Sequence, residues 1–160
     1  MQKDIIINEK FLPLRESDAR YYIVTGGRGS SKSFSTTLIE ATNTLQQGYN
    51  CLYTRYTMTS AELSIIPEFK EKIEILNLDN VFDINRKEIT NTITDSRIIF
   101  RGIKTSAGNQ TANLKSLQGI STWVLDEAEE MVDENEFDTI DLSIRSNTQQ
   151  NRIILILNPS

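Results

Sequence analysis

Short apolar runs alternate along this chain with longer stretches whose apolar positions recur every three to four residues. That alternation predicts strands and helices in turn. Residues 20–25, with Tyr21-Tyr22-Ile23-Val24 at their centre, read as the first core strand. From 32 to 47, Phe34, Leu38, Ile39, Ala41 and Leu45 follow helical spacing, and Gly48 marks the stop. Residues 50–55 (Asn-Cys-Leu-Tyr-Thr-Arg) predict a second strand, and 61–76 a helix interrupted near Pro67. Strand, helix, strand and helix at this spacing argue for parallel pairing with crossover helices. Ahead of them, Ile5-Ile6-Ile7 reads as a short strand or docking arm, and Phe11-Leu12-Pro13-Leu14 as a loop with buried anchors.

The middle changes character. Residues 81–84, 88–93 and 97–100 are short, β-branched segments, and Thr94-Asp95-Ser96 suits a hairpin turn, so a small antiparallel insert is expected. Residues 104–118 are polar and rich in Asn and Thr, the composition of a mobile loop. Beyond them, 122–125 predicts a third core strand, 134–146 an amphipathic helix, and 152–157 (Arg-Ile-Ile-Leu-Ile-Leu) a buried central strand. The expected fold class is α/β, with a mainly parallel central sheet, flanking helices and a small antiparallel hairpin insert. The chain stops just after a buried strand, whereas domain boundaries fall in exposed linkers. Residues 1–160 are therefore expected to be a fragment of a longer protein, truncated or left by proteolysis.

Composition narrows the partners. The net charge of −5 argues against a broad basic surface for nucleic acid, though not against a local patch. No apolar run approaches a membrane span and the N-terminus lacks a signal pattern, so the expected location is cytosolic, away from membranes. The single cysteine, Cys51, cannot form an internal disulfide and reads as a core thiol. The absence of histidine removes His-based triads and the commonest zinc ligand. Carboxylates cluster between positions 126 and 141, mostly as a solvated helix face.

Within this pattern the stretch 25–33, Thr-Gly-Gly-Arg-Gly-Ser-Ser-Lys-Ser, stands out, because it lies between a strand and a helix. Backbone N–H groups of such a loop form a nest for phosphate oxygens at the positive end of the following helix. Gly26, Gly27, Arg28, Gly29, Ser30, Ser31, Lys32 and Ser33 are the candidate ATP-binding residues. Lys32 would reach the β- and γ-phosphates, and the Ser33 hydroxyl would ligate Mg²⁺. Ser31 stands where the G-x-x-x-x-G-K-[ST] pattern has glycine. Serine is small and Gly27 and Gly29 lie close by, so an altered loop geometry is expected rather than loss of the site. A flexible surface turn would share this composition, but it would not predict a complementary acidic motif downstream.

That motif is Ser121 to Glu130, Ser-Thr-Trp-Val-Leu-Asp-Glu-Ala-Glu-Glu. Asp126, at the end of an apolar strand, would hold Mg²⁺, and Glu127 would orient and deprotonate the attacking water. Ligation needs one carboxylate, and hydrolysis a second that the metal does not consume. Asn158, after the last strand, reads either as a sensor of the γ-phosphate or as a turn before Pro159. Arg28, inside the loop, could touch the γ-phosphate or an acidic neighbour. Arg101 and Arg145 are candidate charge stabilisers, in cis or for an adjacent subunit.

Together, GGRGSSKS, IIFRG (98–102), LKSLQG (114–119), WVLDEAEE and LNPS resemble the large terminase subunit of tailed bacteriophages, along nearly the whole chain. The resemblance implies that residues 1–160 are the N-terminal P-loop ATPase domain of a longer protein, with ATP and Mg²⁺, the motor that moves double-stranded viral DNA into a procapsid. It implies a homo-oligomeric ring docked on the portal protein, a small terminase subunit as partner, and the host cytoplasm as location. It further implies a coupling motif at Leu157-Asn158-Pro159, an Arg101 that reaches a neighbour's site, and adenine near residues 11–15. The family's C-terminal nuclease has no counterpart in these residues, so no DNA cleavage is expected. Two other readings remain: a helicase-like P-loop ATPase, suggested by Asp-Glu-Ala-Glu, and a nucleotide-gated assembly module with little turnover alone.

Overall fold

In the computed structural model, residues 9–27, 32–103, 119–131 and 133–158 are described, without the side chains of Ser33 and Ser60. A seven-stranded sheet forms the centre. Its strands are β1 (Tyr21–Thr25), β2 (Asn50–Arg55), β3 (Phe82–Ile84), β4 (Glu88–Asn91), β5 (Arg97–Gly102), β6 (Thr122–Leu125) and β7 (Arg152–Leu157). The spatial order is β1-β7-β6-β2-β5-β4-β3. The first five in that order run parallel, whereas β4 is antiparallel to both β5 and β3.

The mainly parallel α/β architecture expected above is therefore present, and the strand 152–157 is central, between β1 and β6. One element differs. The sequence pattern groups 97–100 with the antiparallel insert, but β5 is longer and pairs in parallel with β2 from Asn50↔Arg97 to Arg55↔Gly102. The β3–β4 hairpin thus extends the core sheet rather than standing apart from it. The β4–β5 turn does contain Thr94-Asp95-Ser96, with Asp95 at φ 60°. The segments 1–8 and 104–118, including the predicted arm and mobile loop, lie outside the described residues.

After the short helix α1 (Pro13–Glu16), longer helices cover both faces. On one, α2 (Lys32–Asn43) and α4 (Ile66–Ile75) pack over Tyr22, Val24, Cys51, Tyr53, Phe100, Val124 and Ile154. Tyr53, Phe69 and Phe100 meet there, with ring centroids 5.4 and 5.6 Å apart for the contacts made by Phe69. On the other face, α5 (Glu134–Asp141) sets Ile140 and Phe137 against Leu52, Trp123 and Ile153. Helices α2 and α5 end earlier than their apolar periods predicted, and Leu45, expected on the buried stripe of α2, is exposed.

Helix α2 is buried nearly all round although its residues include Ser35, Thr36, Thr37, Glu40 and Asn43. Local acceptors satisfy some of this polarity: the Thr37 hydroxyl donates to the Phe34 carbonyl at 3.1 Å, and Thr42 does the same to Ile39 at 2.7 Å. Between β2 and α4 the helix is irregular. A short α3 (Met58–Ser60) runs into a π-helical turn, Ala61–Ile65, before α4 begins. Pro67 explains the interruption. Its ring crowds the carbonyl four residues back and it donates no hydrogen bond, so the turn preceding it widens.

Candidate functional site

Parallel pairing brings the carboxyl ends of β1, β7, β6, β2 and β5 to one edge of the sheet. At that edge β1 passes into Gly26, whose φ of 152° is a conformation that side-chain-bearing residues rarely adopt. Lys32 then opens α2. It is buried, and its Nζ donates to the Gly26 carbonyl and, at 3.4 Å, to that of Gly27. Its ammonium is thereby held over the end of β1.

One strand further than β7, Asp126 continues β6 past its last paired residue, its N–H donating to the Thr54 carbonyl at 2.9 Å. The carboxylate is 5% exposed and needs compensation at that depth. Oδ1 accepts from the N–H of Glu127 at 2.9 Å, and Oδ2 accepts from Arg55 Nε at 2.9 Å. Glu127 sits in the left-handed region at φ 53°, ψ 48°, a strained backbone of the kind that collects at functional sites. Its Oε1 lies 3.5 Å from Arg55 Nη2. Burial raises the Glu127 pKa above its ordinary value. The nearby Arg55 cation opposes that shift, while Asp126, Glu130 and Glu129 reinforce it. A carboxylate so shifted is a stronger base than an exposed glutamate.

Lys32 and the Asp126–Glu127 pair thus share one edge, separated laterally by β7. Two inter-strand spacings amount to roughly 10 Å between β1 and β6. At the end of β7, the Asn158 N–H donates to Glu129 Oε2 at 3.4 Å, joining that strand end to the turn after the acid pair.

The other candidates are placed as follows. Arg101 is at the carboxyl end of β5, but residues alternate faces along a strand, so it points to the α5 side, opposite Ile98 and Phe100. Its Nη1 donates to the Phe100 carbonyl at 2.8 Å, and the structure does not bring it to the acid pair. Arg145 is exposed in the segment that leads to the start of β7, at the opposite edge. Arg28, Gly29, Ser30, Ser31 and the Ser33 side chain, like Pro159, lie outside the described residues. Phe11 and Leu14 are buried, and with Lys10 and Pro13 they line a groove along β1.

Sequence reasoning misses Arg55. An arginine ending a strand is unremarkable until strand order is known, and only the β6–β2 pairing sets it beside Asp126.

A divalent cation is compatible with this donor set. Among the described residues no group of three or more acidic, Cys or His side chains could hold a metal.

Solved structures support the same architecture. The large terminase of a thermophilic bacteriophage superposes with a TM-score of 0.71 at 13% identity, covering 94% of this chain and 39% of its own. That terminase has also been solved with ADP and with ATP-γ-S. The large terminase ATPase domain of Thermus phage P74-26 gives 0.70 at 18% identity, with 97% of this chain and 66% of that domain covered. The Phi-28 gp11 DNA packaging motor gives 0.63 at 18%, covering 91% and 48%. This chain thus spans about two fifths of the first of these terminases. A comparison with curated proteins found no match. Residues 18–160 match the model of the family described as phage terminase large subunit, and the chain belongs to that family.

Proposed function

We propose that this chain is the ATP-hydrolysing motor domain of a terminase large subunit, driving double-stranded DNA into a procapsid. In that reading it works within a homo-oligomeric ring in the host cytoplasm, docked on a portal protein and served by a small terminase subunit. The observation that carries the reading is the arrival of Lys32 and the Asp126–Glu127 pair at one sheet edge, just past the ends of the two strands flanking β7. The structures of the thermophilic bacteriophage terminase with ADP and with ATP-γ-S support nucleotide as the ligand.

The roles follow from the chemistry. Backbone N–H groups of residues 26–31 and the amino end of α2 would bind the phosphates. Lys32 would exchange its carbonyl partners for phosphate oxygens, whose full charge makes the stronger hydrogen bonds. Asp126, with Ser33, would hold Mg²⁺, which neutralises charge on the γ-phosphoryl group. Glu127, with its raised pKa, would take the proton of the attacking water. Asn158 would report on the γ-phosphate through its position at the end of β7, and Arg28 and Arg101 would supply charge, Arg101 to a neighbouring subunit.

Equilibrium binding and turnover test the assignment together. Lys32→Ala is expected to weaken ATP-γ-S binding roughly 100-fold, since charge-assisted bonds to phosphate are lost. Glu127→Gln is expected to bind normally but to lose about 10²- to 10⁴-fold in kcat, the usual contribution of a general base. Parent-level hydrolysis by Glu127→Gln would reject Glu127 as the base.

A further inference from the structure

Arg55 touches both acids and has no role in the reading above. Three of its contacts are Nε to Asp126 Oδ2 at 2.9 Å, Nη2 toward Glu127 Oε1 at 3.5 Å, and Nη1 to Ser64 Oγ at 2.7 Å. The third partner belongs to the π-helical turn Ala61–Ile65. A π turn rotates the side chains that follow it about the helix axis, relative to an uninterrupted α-helix. The turn is also registered against the site. A Cβ added at Gly102 would lie 2.3 Å from the Met58 N, so α3 starts in close contact with the end of β5, the strand beside Arg55.

We propose that Ser64 is a positioning residue that latches Arg55 onto Asp126, so that the guanidinium competes with a divalent cation for that carboxylate. The inference rests on the assignment of Asp126 as the metal ligand. Asp126 is nearly buried and is compensated here by Arg55. A cation arriving on the same carboxylate makes a second positive charge there redundant and repulsive. The two cations repel each other across that carboxylate, and the Ser64 bond is part of what keeps the guanidinium in place. Residues 61–65 thereby set how much metal is needed before nucleotide is bound tightly.

The test compares the parent chain with Ser64→Ala and Ser64→Thr. Two readouts are used: hydrogen exchange at the Arg55 Nε–H by NMR without nucleotide, and the Mg²⁺ concentration giving half-maximal tightening of ATP-γ-S binding by calorimetry. In Ser64→Ala the Nε–H should exchange faster and the Mg²⁺ midpoint should fall about two- to tenfold, the range of one net hydrogen bond. Ser64→Thr, which keeps the hydroxyl, should restore both. An unchanged Nε–H exchange rate in folded Ser64→Ala overturns the latch. Faster exchange with an unmoved Mg²⁺ midpoint overturns the competition. Failure of the parent chain to bind ATP-γ-S would count against the functional reading instead, and the exchange measurement would still decide whether Ser64 holds Arg55.

Discussion

Glu40 shows how far a single residue can depart from what its type suggests. It lies on α2 with no exposed surface, its Oε2 2.5 Å from the Tyr49 hydroxyl, which is itself 2.7 Å from Thr122 Oγ1. Burial raises its pKa above the ordinary 4.5, against the opposing effect of hydrogen bonds from Tyr49 and Cys51. The folded chain therefore binds this proton more tightly than the unfolded chain does. The resulting contribution to stability is complete below the ordinary glutamate pKa and is lost as pH rises through the raised folded value. Glu40→Gln removes that dependence. Between pH 4 and pH 8 the melting temperature of the parent should fall relative to that of the variant, as followed by thermal unfolding across pH. A constant difference would show that Glu40 titrates normally. Lys32, Asp126 and Glu127 are candidates the sequence can nominate, because each stands out by its neighbours along the chain. Arg55 is not among them, because its partners lie on other strands and a helix.

At the scale of elements, the passage from β2 through α3 and the π turn to α4 shapes the wall of the site beside β5. Gly102 permits the close approach of β5 to α3. Its Cβ would also meet the Thr57 carbonyl carbon at 2.8 Å, and both contacts are with backbone, which cannot swing aside. Gly102→Ala should destabilise the fold by about 1–3 kcal/mol, the usual cost of overpacking, and displace the start of α3. Denaturant unfolding and the amide shifts of residues 57–60 would report it, and a variant as stable as the parent would mean that α3 moves freely. The Pro67 interruption was visible in the sequence, whereas its form was not. A proline says that the helix must yield, and packing decides whether it yields by a kink, a break or a wider turn.

For the molecule as a whole, charge limits what this domain does alone. With a net charge of −5 and carboxylates gathered on and before α5, the chain offers duplex DNA little general attraction. Binding should be weak and should fall steeply with added salt, since each phosphate contact releases counterions. Fluorescence anisotropy with labelled duplex at about 50 and 200 mM salt would check this, and tight, salt-insensitive binding would contradict it. The local order of strand, glycine-rich loop and helix, the acidic end of an apolar strand, and the alternation that makes an α/β sheet were all determined by the sequence itself. Each is a pattern among residues close in the chain, where periodicity and backbone preference act directly. Tertiary structure alone decided that β7 lies between β1 and β6, that β5 joins the parallel core, and that Arg55, held by Ser64, meets the acid pair. Those outcomes depend on which strands pair across long separations in sequence. That choice is made by burial of whole faces, which no local period encodes.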